Sequence, residues 1–205
     1  MRRAATVVMG AGVAAAAAYA SPSLARLLPP RWRATPRLSG FGRPDHVALT
    51  FDDGPDPKST PAVMDALAAL GWSATFFCLG PMVRAAGALT AELASVGHEV
   101  AVHGWSHEGA IRRTPAALVD DVRRCRDVIA EATGTPPRWY RPPFGELSVG
   151  SLLAARALDL RVVLQRCRPD WDISSAAQRA AWEKGDKAKF YPYGKTQSQL
   201  LAEQD

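Results

Sequence analysis

Histidine, lysine and cysteine are all scarce in this chain, and each scarcity narrows the reading. There are three cysteines, Cys78, Cys125 and Cys167. An odd, sparse set does not make a disulfide framework, so the core must come from apolar packing, with buried thiols at Cys78 and Cys167 in strand-like runs. Four of the five lysines lie between Lys184 and Lys195, whereas all twenty arginines lie at or before Arg179. The net charge of +5 is therefore unevenly placed. Residues 1–45 carry seven Arg and one Asp, while residues 46–173 carry thirteen basic and fifteen acidic groups. With no basic stripe on that central part, nothing argues for nucleic acid as a partner. Only four histidines occur, and none follows His107.

The excess positive charge belongs to the leader. Met1-Arg2-Arg3 precedes an Ala/Val/Gly-rich run to Ala20, and Ala18-Tyr19-Ala20 is a small-x-small cleavage pattern. Residues 1–20 read as a signal peptide, or alternatively as a retained N-terminal anchor that would tether the protein to a membrane. Either places it on the extracytoplasmic side, secreted or anchored. Residues 21–45, rich in Pro and Arg, read as a linker. Residues 46–173 read as the folded domain and 174–205 as a divergent polar tail without strand–helix alternation.

Within 46–173 the pattern alternates. Strands are expected at 46–51, Ser73–Leu79, Glu99–Val102, Trp139–Arg141 and Leu160–Leu164. Helices are expected at Thr60–Leu70, Met82–Val96, Thr114 to about Thr133, and Ser151–Ala157. Thr114-Pro115 supplies a cap and a proline at the first helical position, and Gly71 and Gly97 supply stops. Such alternation means parallel strands with helical crossovers, an α/β layout whose sites gather at the carboxyl ends of the strands.

Four clusters fall at or near such ends. In Thr50-Phe51-Asp52-Asp53-Gly54-Pro55 two adjacent carboxylates close a strand, on opposite sides of the backbone because strand side chains alternate. A metal there would leave one acid as ligand and the other as base. His103-Gly104-Trp105-Ser106-His107 supplies two imidazoles four residues apart, which a helix or tight loop points the same way. Two imidazoles and a carboxylate suit a divalent first-row metal such as zinc and leave coordination positions open. His46 and His98 read as surface or satisfied histidines. Tyr140-Arg141-Pro142-Pro143-Phe144-Gly145 has a proline-stiffened backbone after a strand, an arginine able to clamp a carboxylate, and the Phe144 and Gly145 amides as donors to an oxyanion. Asp170-Trp171 offers a flat ring for a sugar face.

TFDDGP, HGWSH, RPPFG and DW, in this order between Val47 and Trp171, resemble the polysaccharide deacetylases of carbohydrate esterase family 4. The resemblance implies a distorted (β/α) TIM-like barrel, here incomplete at its C-terminal end. It implies Asp52 as catalytic base; Asp53, His103 and His107 as metal ligands; and Arg141 as the holder of the base. It further implies the Phe144 amide as an oxyanion donor, Asp170 as a group tuning charge in the catalytic site, and Pro142, Pro143 and Trp171 on the substrate side. The metal would be zinc, with cobalt as an alternative. The substrate would be an N-acetylated glycan, chitin- or peptidoglycan-like, from which water deprotonated by Asp52 releases acetate. This sequence departs from the family pattern at three places. Gly104 stands where Ser or Thr would brace the loop. Leu164 and Cys167 stand where Trp and Asp would precede DW. The histidine that would protonate the leaving amine, in a Leu-x-x-His motif, has no counterpart. A non-catalytic remnant that binds metal or glycan is the alternative.

Overall fold

The computed structural model describes residues 14–23, 47–164 and 194–195. Residues 14–23 are helical (α1), and Val47–Ala48 forms β1. Strand and helix then alternate: β2 (Thr50–Gly54), α2 (Thr60–Leu70), β3 (Thr75–Leu79), α3 (Gly80–Ala85), α4 (Gly87–Ser95), β4 (Glu99–Gly104), α5 (Pro115–Thr133), β5 (Trp139–Tyr140), α6 (Val149–Ala157) and β6 (Arg161–Val162). Short 3₁₀ turns cover Ala110–Arg112 and Pro143–Gly145. Strands β2 to β6 lie side by side in chain order, every neighbouring pair parallel. Among the described residues this sheet is open, with β2 and β6 at its edges.

Burial explains the strand composition. Thr75, Phe76, Phe77 and Cys78 are all buried, as in a parallel strand covered on both faces. One face packs Phe76, Val100, Val102, Tyr140 and Val162 against Met64, Leu67, Val83, Leu93, Leu118, Val122 and Ile129 of the helices. The opposite face carries a cluster of strand-side residues only, Phe77, Ala101, Trp139 and Val163. That second face is the barrel interior.

Local chemistry sets the helix ends. The Thr114 hydroxyl accepts from the Ala117 amide at 3.3 Å, Pro115 opens α5, and Gly134 ends it at φ 71°. Ser148 and Ser151 form a reciprocal capping box that opens α6 two residues earlier than the periodicity suggests. The single helix expected over 82–96 is instead two, broken at Ala86 (φ −131°, ψ 48°). Gly87, which opens α4, was the one mark of the break, since glycine inside a helical period weakens it, but the apolar period carries on across it and outweighed that sign. The strands at 139 and 161 are shorter than expected. The polar tail contributes a strand after all: β7 (Gly194–Lys195) pairs in parallel with β1.

The N-terminal helix α1 contacts the rest of the chain. The Tyr19 hydroxyl donates to the Arg113 carbonyl at 2.6 Å, and the Ser23 hydroxyl to the Leu147 carbonyl at 2.7 Å. A Cβ on Gly150 would lie 2.2 Å from the Tyr19 hydroxyl oxygen, so α6 accepts this ring only because residue 150 has no side chain. No helix among the described residues is long and apolar enough to cross a membrane.

Candidate active site

Strand alternation delivers most of the site. Ala101 and Trp139 face the interior, so two residues onward His103 and Arg141 face it too, at the carboxyl ends of their strands. On β2, Phe51 stacks on Phe76 at 5.0 Å on the helix side, leaving Thr50 and Asp52 inward. Arg141, 3 % exposed, lies over the Phe77 ring with its guanidinium carbon 3.9 Å from the centroid. Its Nη1 donates to Asp52 Oδ1 at 2.7 Å and to Thr50 Oγ1 at 2.9 Å. Asp52 is therefore held by a buried cation, as the resemblance implies.

Asp53 breaks the alternation. The expectation that the two acids point to opposite sides fails because Asp53 adopts φ 69° and the pairing with β3 shifts register between Asp52 and Gly54. The local twist brings both carboxylates to the same end of the barrel. Asp53 Oδ1 lies 3.3 Å from His103 Nε2 and 3.1 Å from His107 Nε2. The four-residue histidine spacing is realised by a tight turn: Gly104 has φ 110° and His107 φ 49°, which places the ring centroids 5.4 Å apart.

The hydrogen bond of His103 orients the ring. His103 Nδ1 lies 2.8 Å from the Arg141 carbonyl, which only accepts, so the proton sits on Nδ1 and Nε2 presents a lone pair. Burial holds the ring's pKa below the ordinary histidine value, against the pull of Asp52, the Arg141 carbonyl and Asp53. A neutral ring then sets its Nε2 lone pair against a carboxylate oxygen at 3.3 Å. Two acceptors facing each other repel unless a cation stands between them. One ligand atom from each of Asp53, His103 and His107 lies within 4.8 Å of the others. Nitrogen and oxygen donors, an outward proton fixed on a backbone carbonyl and an exposed approach through Asp53 fit an open-sided divalent site.

The RPPFG corner closes one side. Pro142 and Pro143 are buried and fix the backbone, and neither offers surface to a glycan. Phe144, at φ 57°, is 60 % exposed, and its ring lies 4.7 Å from that of His107. The Gly145 amide, expected to face an oxyanion, instead donates to the Pro142 carbonyl at 3.1 Å, because the corner folds into a 3₁₀ turn. Asp170, Trp171 and Cys167 lie outside the described residues, as does His46. His98 is not on the surface: it is 8 % exposed, and its Nδ1 has no hydrogen-bond partner among the described residues.

A sequence model of polysaccharide deacetylases matches residues 40–163. The chain belongs to the polysaccharide deacetylase family. A chitooligosaccharide deacetylase of Bradyrhizobium is 36 % identical over 127 residues, covering 61 % of this chain and 58 % of that protein. A peptidoglycan-N-acetylglucosamine deacetylase of Bacillus cereus is 31 % identical over 126 residues, covering 62 % and 46 %. The chain thus spans about half the length of these relatives. The solved structure of a family 4 acetyl xylan esterase from Clostridium thermocellum, which holds a cobalt ion, superposes with a TM-score of 0.58 at 25 % identity, covering 77 % of this chain and 91 % of that one.

Sequence reasoning missed three supporting residues: Thr50, Phe77 and Asp121. Asp121 left a signal. It sits on the apolar stripe of α5 with Leu118, Val122, Cys125 and Ile129, all buried, where an acid needs partners.

Proposed function

We propose that this chain carries the hydrolytic centre of a metal-dependent N-deacetylase acting on an amino-sugar polymer of the chitin or peptidoglycan kind, on the extracytoplasmic side of the cell. The observation that supports this best is the pairing of two centres one residue apart. Asp53 converges with His103 and His107 on one point, while Asp52, its neighbour, is held by Arg141 outside that group. Asp53, His103 and His107 would hold a divalent ion, zinc or cobalt, which supplies Lewis-acid polarisation of an acetamide oxygen and of water. Asp52, anchored at one oxygen by Arg141, keeps its other oxygen to take a proton from the attacking water. The exposed Phe144 ring beside His107 offers an apolar wall to the acetyl group or the sugar.

A second reading has its own support. Of the described histidines, His103 and His107 are the ligand pair and His98 packs on Phe76 on the helix side, so no further described imidazole faces Asp52 to protonate the leaving amine. Losing a general acid typically costs about 10²–10⁴-fold in rate, and the chain would then bind metal and glycan with little turnover. Acetate release from N-acetylated chitooligosaccharides and from peptidoglycan fragments, with added Zn²⁺ or Co²⁺, separates the two. Release that disappears in Asp52→Asn supports the enzyme. No release above background from folded, metal-loaded protein supports the binding remnant.

A further inference from the structure

The turn that carries His107 has no side chain of its own at Gly104, yet it is held tightly from below. Asp121, 7 % exposed on α5, accepts four hydrogen bonds. Its Oδ2 takes the Trp105 amide at 2.7 Å. Its Oδ1 takes the Ser106 amide at 3.1 Å, the Ser106 hydroxyl at 2.7 Å and the Arg113 guanidinium. Burial works to raise this carboxyl's pKa, but Arg113, the Trp105 amide and Ser106 outweigh it and keep it below the ordinary carboxylate value. The carboxylate approaches the backbone so closely that a Cβ on Gly104 would lie 3.0 Å from Oδ2, at a φ of 110° that L side chains rarely adopt. Gly104 is therefore the residue that lets Asp121 reach the turn. Trp105 is fastened on the other side. Its ring fills the space a Cβ on Gly80 would need, 2.2 Å away, between the guanidiniums of Arg84 and Arg124 at 4.5 and 4.2 Å.

We propose that Asp121 is the positioning residue of this site: it clamps the backbone of Trp105 and Ser106 onto α5 and so fixes where His107 meets Asp53. It touches neither substrate nor ligand atoms. Its grip is transmitted through one peptide, from Ser106 to His107. The platform is rigid because Leu118, Val122, Cys125 and Ile129 bury the same face of the helix. The proposal rests on the ligand reading of Asp53, His103 and His107, and its test separates the two.

Zn²⁺ affinity of the full chain is measured by chelator competition, with amide hydrogen exchange, in the wild type, Asp121→Asn, Ser106→Ala and Asp120→Asn. Asp120 is on the same helix but exposed and paired with Arg123, so it serves as the control. Asp121→Asn should weaken Zn²⁺ binding about 10–100-fold, the usual effect of losing a partner behind a metal ligand. Ser106→Ala should weaken it less, and Asp120→Asn should be unchanged. Trp105 and Ser106 amides should exchange faster only in the first two. Leu67→Val, a buried core change on α2 that lowers stability by packing alone, should leave the affinity of the folded protein unchanged. Asp121→Asn binding within twofold of wild type, with slow exchange kept at Trp105 and Ser106, overturns the proposal. A wild type that takes up no Zn²⁺ overturns the ligand reading instead. In that case unchanged exchange in Asp121→Asn overturns the clamp, and faster exchange sustains it.

Discussion

His103 donates its Nδ1 proton to the backbone carbonyl of Arg141 at 2.8 Å. Arg141 thus serves two neighbours with two different groups. Its carbonyl orients a metal ligand, and its guanidinium holds Asp52 at 2.7 Å. The end of β4 and the corner after β5 are fastened together at the point where the chemistry is expected.

That division makes Arg141→Met informative, because the variant keeps the carbonyl and loses the guanidinium. Metal affinity should stay within a few-fold of wild type. Acetate release should fall by about 10²–10⁴-fold if the oriented base acts as proposed. Leaving Asp52 without its cation should also destabilise the fold by about 3 kcal/mol, the low end for a broken buried pair since Asp52 is partly exposed. Urea unfolding and kinetics on the same preparations would show both effects. An equal loss of metal and activity would contradict the split.

Gly104→Ala should harm the site without touching a ligand. The φ of 110° and the 3.0 Å approach to Asp121 together place the cost at about 1–3 kcal/mol. Thermal unfolding should show a lower midpoint, and Zn²⁺ binding should weaken as the turn shifts. A variant as stable as wild type would show that the turn relaxes freely.

Phe77 is fully buried under Arg141. Phe77→Ala should cost about 3–5 kcal/mol, as large-to-small changes in cores do, and should lower activity by removing the floor on which the guanidinium lies. Phe76→Leu, on the helix side, should cost less and leave activity nearly intact. Urea midpoints and turnover measured side by side check the distinction.

His98 predicts a pH dependence. Burial lowers its pKa below the ordinary value of 6.5, beside the Phe76 ring at 5.4 Å and next to Glu99. As pH falls through about 6.5 the unfolded chain takes up a proton that the folded chain refuses, so stability falls from there down to the folded pKa and is unaffected above about 6.5. The change in urea midpoint between pH 7.5 and 5.5 should therefore be smaller in His98→Gln than in wild type. Equal changes would mean that the histidine titrates alike in both states.

Much of this was legible in the residues. The strand–helix alternation, the caps at Thr114 and Gly71, and the clusters at strand ends all follow from local chemistry. What was hidden depended on backbone geometry or on contacts distant in sequence. Asp53 turns inward only through a positive φ. The Gly145 amide is consumed by a turn that two prolines make easy. The break at Ala86 was marked only by Gly87, inside an apolar period that runs on across it. Asp121 stood in plain view as an acid on an apolar stripe, but its partners lie 8 to 16 residues away.

The central claim is that Asp53, His103 and His107 form one metal site. Metal content and Zn²⁺ titration of purified protein test it most directly, in the wild type, Asp53→Ala and His107→Ala, with circular dichroism to confirm folding. The account predicts about one equivalent of Zn²⁺ in the wild type and little in either folded variant. Wild-type metal content in folded Asp53→Ala would contradict it.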